Sequence, residues 1–85
     1  MAYRVELSSR VLRDLKKLPT QVCQRLRAQI EALASEPRPS GVVKLEGDEN
    51  VYRVRVGDYR ILYEIHDAVL VVLIVKVGDR KEVYR

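Results

Sequence analysis

From Ala2 to Leu7 the apolar side chains Ala2, Val5 and Leu7, with Tyr3 between them, make a loose strand pattern that stops at Ser8. The period then changes. Val11, Leu12, Leu15 and Leu18 recur at helical spacing, and Ser8 or Ser9 can accept a hydrogen bond from the free backbone N–H groups at the helix start. Pro19 cannot continue this helix, Thr20 can cap a second, and Val22, Cys23, Leu26, Ile30 and Leu33 form its apolar stripe up to Pro37. The stretch EPRPSG marks a stiff surface connection. Everything beyond it reads as extended: Val42–Leu45, Val51–Val56, Tyr59–Ile65 and Val69–Val77. The predicted order is βααββββ, an α+β fold in which an N-terminal helical hairpin packs on a sheet.

The run AVLVVLIVKV is nearly continuous and rich in β-branched residues, which places it centrally in the sheet with both sides covered. The linkers GD and HDA are too short for a parallel crossover of about a dozen residues, so hairpins join the last three strands. The sheet is therefore mostly antiparallel, mixed overall. Gly57-Asp58 is a two-residue loop of the kind that closes a tight hairpin, and it sets a register: Val56 faces Tyr59, Arg55 faces Arg60, Val54 faces Ile61, Arg53 faces Leu62 and Tyr52 faces Tyr63. One face then carries Tyr52, Val54, Val56, Tyr59, Ile61 and Tyr63, a surface the helices can cover. The other carries Val51, Arg53, Arg55, Arg60, Leu62 and Glu64.

Opposed arginines do not help a sheet fold. Two guanidinium groups roughly 6 Å apart at an effective dielectric of about 20 repel by on the order of 3 kcal/mol before salt screening. Two readings follow. Long arginine stems can splay into water, with Glu64 and Asp58 neutralising part of the charge. Alternatively the face holds an anion, and planar five-donor guanidinium matches phosphate.

Composition narrows the choice. The chain has 85 residues, 47% hydrophobic and 33% charged, which fits one globular domain spanning residues 1–85. A chain this size buries only about 60 to 68% of its unfolded surface, so a site must lie on an open face or shallow groove. A single cysteine, Cys23, and a single histidine, His66, give neither an internal disulfide nor a zinc-ligand set, and metal-free, cofactor-free chemistry is expected. The segment MAYRVELSSR lacks an apolar run long enough for a signal peptide, and nothing approaches the roughly 18 consecutive apolar residues of a membrane span. A cytoplasmic location without membrane contact is expected. Sixteen Lys+Arg against 12 Asp+Glu leave a net charge of +4, which favours a polyanion where the cations cluster. The chain end adds to the cluster: Gly78 allows a turn, Arg80 follows the strand, and Tyr84 supplies a phenol that could stack on a base, exchange a proton or pack on a strand edge.

The βαα start, the KLEG segment before a strand, the YRVRVGDYRILYEI hairpin and the closing VGDRKEVYR together resemble the RelE toxins of the RelE/ParE superfamily over nearly the whole chain. The resemblance implies a microbial ribonuclease-like α+β fold and the toxin of a type II toxin–antitoxin pair that enters the ribosomal A site and cuts mRNA. It implies attack of a 2′-hydroxyl on the adjacent phosphodiester, giving a 2′,3′-cyclic phosphate and inhibiting translation. The implied partners are a RelB-like antitoxin, the ribosome with its A-site rRNA, mRNA and, for the toxin–antitoxin complex, operator DNA. By position, Arg53 and Arg55 match two basic strand residues, Arg60 the arginine of Y-R-[LI]-x-Y, Arg80 that of the G-x-R turn, and Tyr84 the tyrosine of the terminal V-Y. The implied catalytic set is Arg60, Arg80 and Tyr84, with Arg53 and Arg55 as phosphate contacts; Lys44, which borders the first sheet strand near the basic groove, and Lys81, beside Arg80, are further candidates for contact with RNA phosphate.

Two departures bear on chemistry. Well-studied members of the family place lysines at the two strand positions, whereas arginine, with a pKa above about 12, cannot act as a general base. Arg53 and Arg55 are thus expected to bind and to stabilise charge only. Many relatives also carry a histidine before the G-x-R arginine, where this chain has Asp79, which could repel a phosphate or orient Arg80. Two rival functions share the fold: a ParE-like inhibitor of DNA gyrase, and a non-catalytic nucleic-acid-binding module. His66 reads as a solvated turn residue away from the arginine face, and Cys23 as core. Arg10, Arg13, Lys16, Lys17, Arg25 and Arg27 make the outer side of the helical hairpin basic.

Overall fold

A computed structural model describes residues 2–47 and 50–79. Its elements are β1 (Arg4–Leu7), α1 (Ser9–Lys16), α2 (Thr20–Ala32), β2 (Val43–Lys44), β3 (Val51–Val56), β4 (Tyr59–His66) and β5 (Val71–Asp79). The expected βααββββ order is present. Arg80, Lys81 and Tyr84 lie outside the described residues.

Five strands form one sheet in the order β1-β5-β4-β3-β2. The β2–β3, β3–β4 and β4–β5 pairs are antiparallel, while β1 runs parallel to β5. The first strand thus returns beside the last. The β3–β4 register matches the expectation at every pair from Val56↔Tyr59 to Tyr52↔Tyr63. Gly57 has φ +59 and is the only positive-φ residue of its turn, as a type II′ turn requires of its first central position.

The helices cover one face only. Val11 and Leu15 of α1, together with Leu26 and Ile30 of α2 and the following Leu33, pack on Tyr52, Val54, Ile61, Tyr63, Ile65, Val72, Ile74 and Val77. No polar or charged residue is fully buried among the described residues, so the core is held by apolar burial at roughly 25 cal/mol per Å². Among the described residues no helix is long and apolar enough to cross a membrane.

Several boundaries differ from expectation. Ser8 caps α1, its Oγ accepting from the Val11 N–H at 3.2 Å, but Thr20 is the first residue of α2 rather than its cap. Pro19 takes the cap position in an extended conformation, and its carbonyl accepts from the Cys23 N–H at 2.9 Å. The β2 strand has only two residues. Val69 and Leu70 belong to the β4–β5 turn, where Leu70 adopts φ +56 and its carbonyl accepts from Arg4. The strand instead runs on through Gly78 and Asp79, because both find partners on β4. As expected, β5 is an interior strand, between β1 and β4, but Leu73 and Val75 are only half-buried, since no described helix or strand layers over the second face.

The EPRPSG connection is tied down by side chains. Arg38 meets both oxygens of Asp67, with Nη2 2.9 Å from Oδ2, and lies 5.3 Å over the Tyr52 ring; the Tyr3 hydroxyl donates to Asp67 Oδ1 at 2.6 Å. Hydrogen bonds from Arg38 and Tyr3 hold the Asp67 carboxyl below its usual range. Tyr52 and Tyr63 stack, with ring centroids 6.0 Å apart, and Tyr63 donates to the Pro37 carbonyl at 2.8 Å. Burial pushes the Tyr63 hydroxyl up to about 12.

Candidate functional site

The face that the helices leave open is organised in rows by strand pairing. At the tip Arg55, Arg60 and Gly78 lie across β3, β4 and β5. The next row is Val43, Arg53, Leu62 and Lys76. Directly opposed Cβ atoms sit about 4.5 to 5.5 Å apart, so Arg55 and Arg60 stand side by side. Leu62 stands between Arg53 and Lys76 in this row, an apolar neighbour to both. Gly78 puts no side chain opposite Arg60.

The two tip arginines are not equivalent. Arg55 is exposed, whereas Arg60 is half-buried and its Nε and Nη1 atoms are buried, fixing one edge of its guanidinium against the fold. From the other side of the tip, the Arg25 guanidinium of α2 packs on the turn, with Nη2 2.8 Å from where a Cβ on Gly57 would lie. Farther along the same face the charge becomes balanced. His66 Nε2 lies 2.8 Å from Glu64 Oε1, and Arg4 Nε 2.9 Å from Glu6 Oε2. Cations therefore gather at the end of the face near the β3–β4 turn.

Of the residues singled out from sequence, the structure brings Arg53, Arg55 and Arg60 onto this face. Lys44 is not with them: it pairs with Tyr52 and so shares that residue's side of the sheet, while Val43 takes the place beside Arg53. His66 is not a solvated turn residue away from the arginines. It ends β4 on the arginine side, paired with Glu64, six residues and roughly 20 Å from Arg60 at about 3.3 Å per residue. That spacing separates it from any phosphate held at the tip. Asp79 pairs with Tyr59 and shares its helix-facing side, so its carboxylate stands across the sheet from Arg60. Cys23 packs against the core as expected.

Lys76 is the basic residue that sequence reasoning missed. The β4–β5 ladder is regular from His66↔Val71 to Tyr63↔Ile74, then shifts so that Leu62 pairs with Lys76 and Val75 is left over. A one-residue bulge of this kind reverses every later side chain. Without it Lys76 would oppose Ile61 in the core; with it Val77 fills that position, 3% exposed. A lysine interrupting the apolar run LIVKV was the available signal.

Chemically, the cationic end presents guanidinium groups that can donate to an anion. A family model for the ParE toxin of type II toxin–antitoxin system, parDE, matches residues 5–84. The putative toxin RelE1 of Methanocaldococcus jannaschii is 34% identical over 88 residues, covering 100% of this chain and 98% of that protein. The mRNA interferase toxin RelE of Escherichia coli is 31% identical, over 99% of this chain and 92% of its own length. The toxin in an archaeal RelE–RelB complex from Pyrococcus horikoshii superposes with a TM-score of 0.84 at 35% identity, over 94% of this chain and 97% of that one. Sequence match and described architecture agree: the chain belongs to the RelE toxins of the RelE/ParE toxin–antitoxin superfamily.

Proposed function

We propose that this chain is the toxin of a type II toxin–antitoxin pair and acts as a ribosome-dependent mRNA endoribonuclease in the cytoplasm. The observation that carries the proposal is the direct opposition of Arg55 and Arg60 on the sheet face opposite the two helices, with Arg53 and Lys76 in the adjoining row. A cluster of guanidinium and ammonium groups of this kind is suited to an anion, and RNA supplies closely spaced phosphates. The full-length likeness to RelE toxins, including an mRNA interferase, supports reading the anion as the backbone of a message.

In the proposed reaction the 2′-oxygen attacks phosphorus, the bond to the 5′-oxygen breaks, the 2′-hydroxyl proton is taken up and the leaving oxygen gains one, yielding a 2′,3′-cyclic phosphate. Arg60, partly fixed by the fold, stabilises charge on the phosphorane, and Arg80, two residues beyond the Gly78 that pairs with Arg60, is assigned the same work. Tyr84 is assigned proton transfer or stacking. Arg53 and Arg55 hold flanking phosphates without exchanging protons. Nothing in this set activates a 2′-hydroxyl strongly, so the ribosome supplies the in-line geometry, which is worth several kcal/mol. A RelB-like antitoxin, the partner in the Pyrococcus complex, is proposed to cover the toxin and restrain it.

Mapping transcript ends after brief induction of the chain without antitoxin tests this reading. New ends inside translated codons, with gyrase supercoiling unaffected, are expected. Intact transcripts with inhibited gyrase would instead assign the chain to the ParE-like activity.

A further inference from the structure

Beyond the arginine face, a groove of about 430 Å³ lies between α1 and the last part of β5. Its walls include Arg10, Asp14 and Lys17 with Leu18 on the helix side, and Lys76 and Gly78 on the strand side. The opening exists because β1 pairs with β5 only from Val71 to Ile74, and the chain then leaves the sheet through Ser8, whose N–H reaches the Ile74 carbonyl at 3.1 Å. From Val75 onward that side of β5 faces the groove.

Resting on the endoribonuclease reading, we propose that this groove is a second phosphate-binding subsite, holding the RNA backbone beyond the phosphate at Arg60. Three cations stand there against one carboxylate. Arg10 reaches Asp14 only at 3.9 Å, a long i,i+4 contact on a partly exposed helix face, which leaves most of its donors available to an anion. Lys17 makes no ion pair among the described residues. The α1 C-terminus is the negative end of a short helix, and Lys16 and Lys17 offset it there. Lys76 and Gly78 decide the ligand. Both belong at once to the groove wall and to the rows that carry Arg53 and Arg60, so groove and face are one continuous cationic track around the end of the sheet. An RNA strand needs such a track; an isolated small anion does not. The bulge at Val75 makes the track possible, since it turns Lys76 out of the core and away from Ile61.

Binding of noncleavable 2′-deoxy-substituted RNA, measured against salt with a dinucleotide and a hexanucleotide, tests the subsite. Arg10→Gln/Lys17→Gln is compared with Arg13→Gln/Lys16→Gln, which removes equal charge from the same helix outside the groove. The groove variant should lose roughly tenfold affinity for the hexanucleotide, and its salt slope should fall by about 0.7 for each phosphate it no longer neutralises, with the control close to the parent. For the dinucleotide, too short to span face and groove, the two variants should bind alike. Repeating the comparison with ribosomes identifies the RNA: a loss on the free hexanucleotide assigns the groove to the message, and a loss only with ribosomes assigns it to ribosomal RNA. Equal behaviour of both variants on every RNA would overturn the proposal. So would unchanged RNA binding with weakened binding of the antitoxin, which would make the groove a protein-docking site. Arg55→Ala separates the two levels. If it loses RNA affinity while the groove variant does not, the endoribonuclease reading stands and the subsite falls; if neither loses affinity, both fall.

Discussion

Arg55 on β3 and Arg60 on β4 are directly paired across the hairpin, on the sheet face opposite the helices. Two like charges in that relationship weaken the hairpin, and sheet pairs of this kind differ by about 0.2 to 1 kcal/mol. Arg55→Ala should therefore leave stability unchanged or raise it by a few tenths of a kcal/mol, more at low salt than at high. RNA affinity should fall together with the salt slope. Urea unfolding at two salt concentrations, set beside RNA titrations, checks both. A clear loss of stability would mean that Arg55 serves the fold.

Gly57 carries the hairpin turn at φ +59. An L-residue there meets the left-handed region, at about 1 to 2 kcal/mol, while the nearby Arg25 guanidinium ends a flexible side chain and can move. Gly57→Ala should destabilise by that amount and Gly57→Asn by less, because asparagine tolerates this region better. Thermal unfolding of the two variants gives the order.

Much of the hairpin was legible because Gly57-Asp58 names its own turn type, and one turn sets the register of both strands. Ser8 was legible as a cap because the apolar period changes beside it. The bulge at Val75 was not, since its neighbours are all apolar and β-branched and no turn residue marks the slip; Lys76 was lost with it. Lys44 was placed with the arginines by nearness in sequence to the hairpin, but the Lys44↔Tyr52 pairing assigns it to the other side. The clasp of Arg38 on Asp67 joins residues 29 apart in loops that carry no period, so nothing local foretold it.

That clasp has a pH signature. The Asp67 carboxyl is held low by Arg38 and Tyr3, so its contribution is full above the unfolded pKa of about 3.9 and is lost as pH falls through the lower folded value. Asp67→Ala should be less stable than the parent at neutral pH, with the gap closing in acid below about pH 4. A gap independent of pH would show that the carboxylate charge is not what holds the connection.

Tyr63 works in the opposite sense. Its hydroxyl is pushed up to about 12 by burial, so its neutral form favours the fold below the unfolded pKa of about 10, and that contribution is lost as pH rises through about 12. Tyr63→Phe should flatten the alkaline loss of stability seen in the parent, read by denaturant unfolding between pH 9 and pH 12.

The most direct measurement is the single-turnover rate of A-site mRNA cleavage, parent against Arg60→Ala, with the product ends identified. The parent should leave a 2′,3′-cyclic phosphate, and Arg60→Ala should cut about 10²- to 10³-fold more slowly, as expected when one donor to a developing oxyanion is removed. A parent that does not cut, or an Arg60→Ala variant that cuts at the parental rate, would contradict the assignment of this sheet face as the catalytic surface.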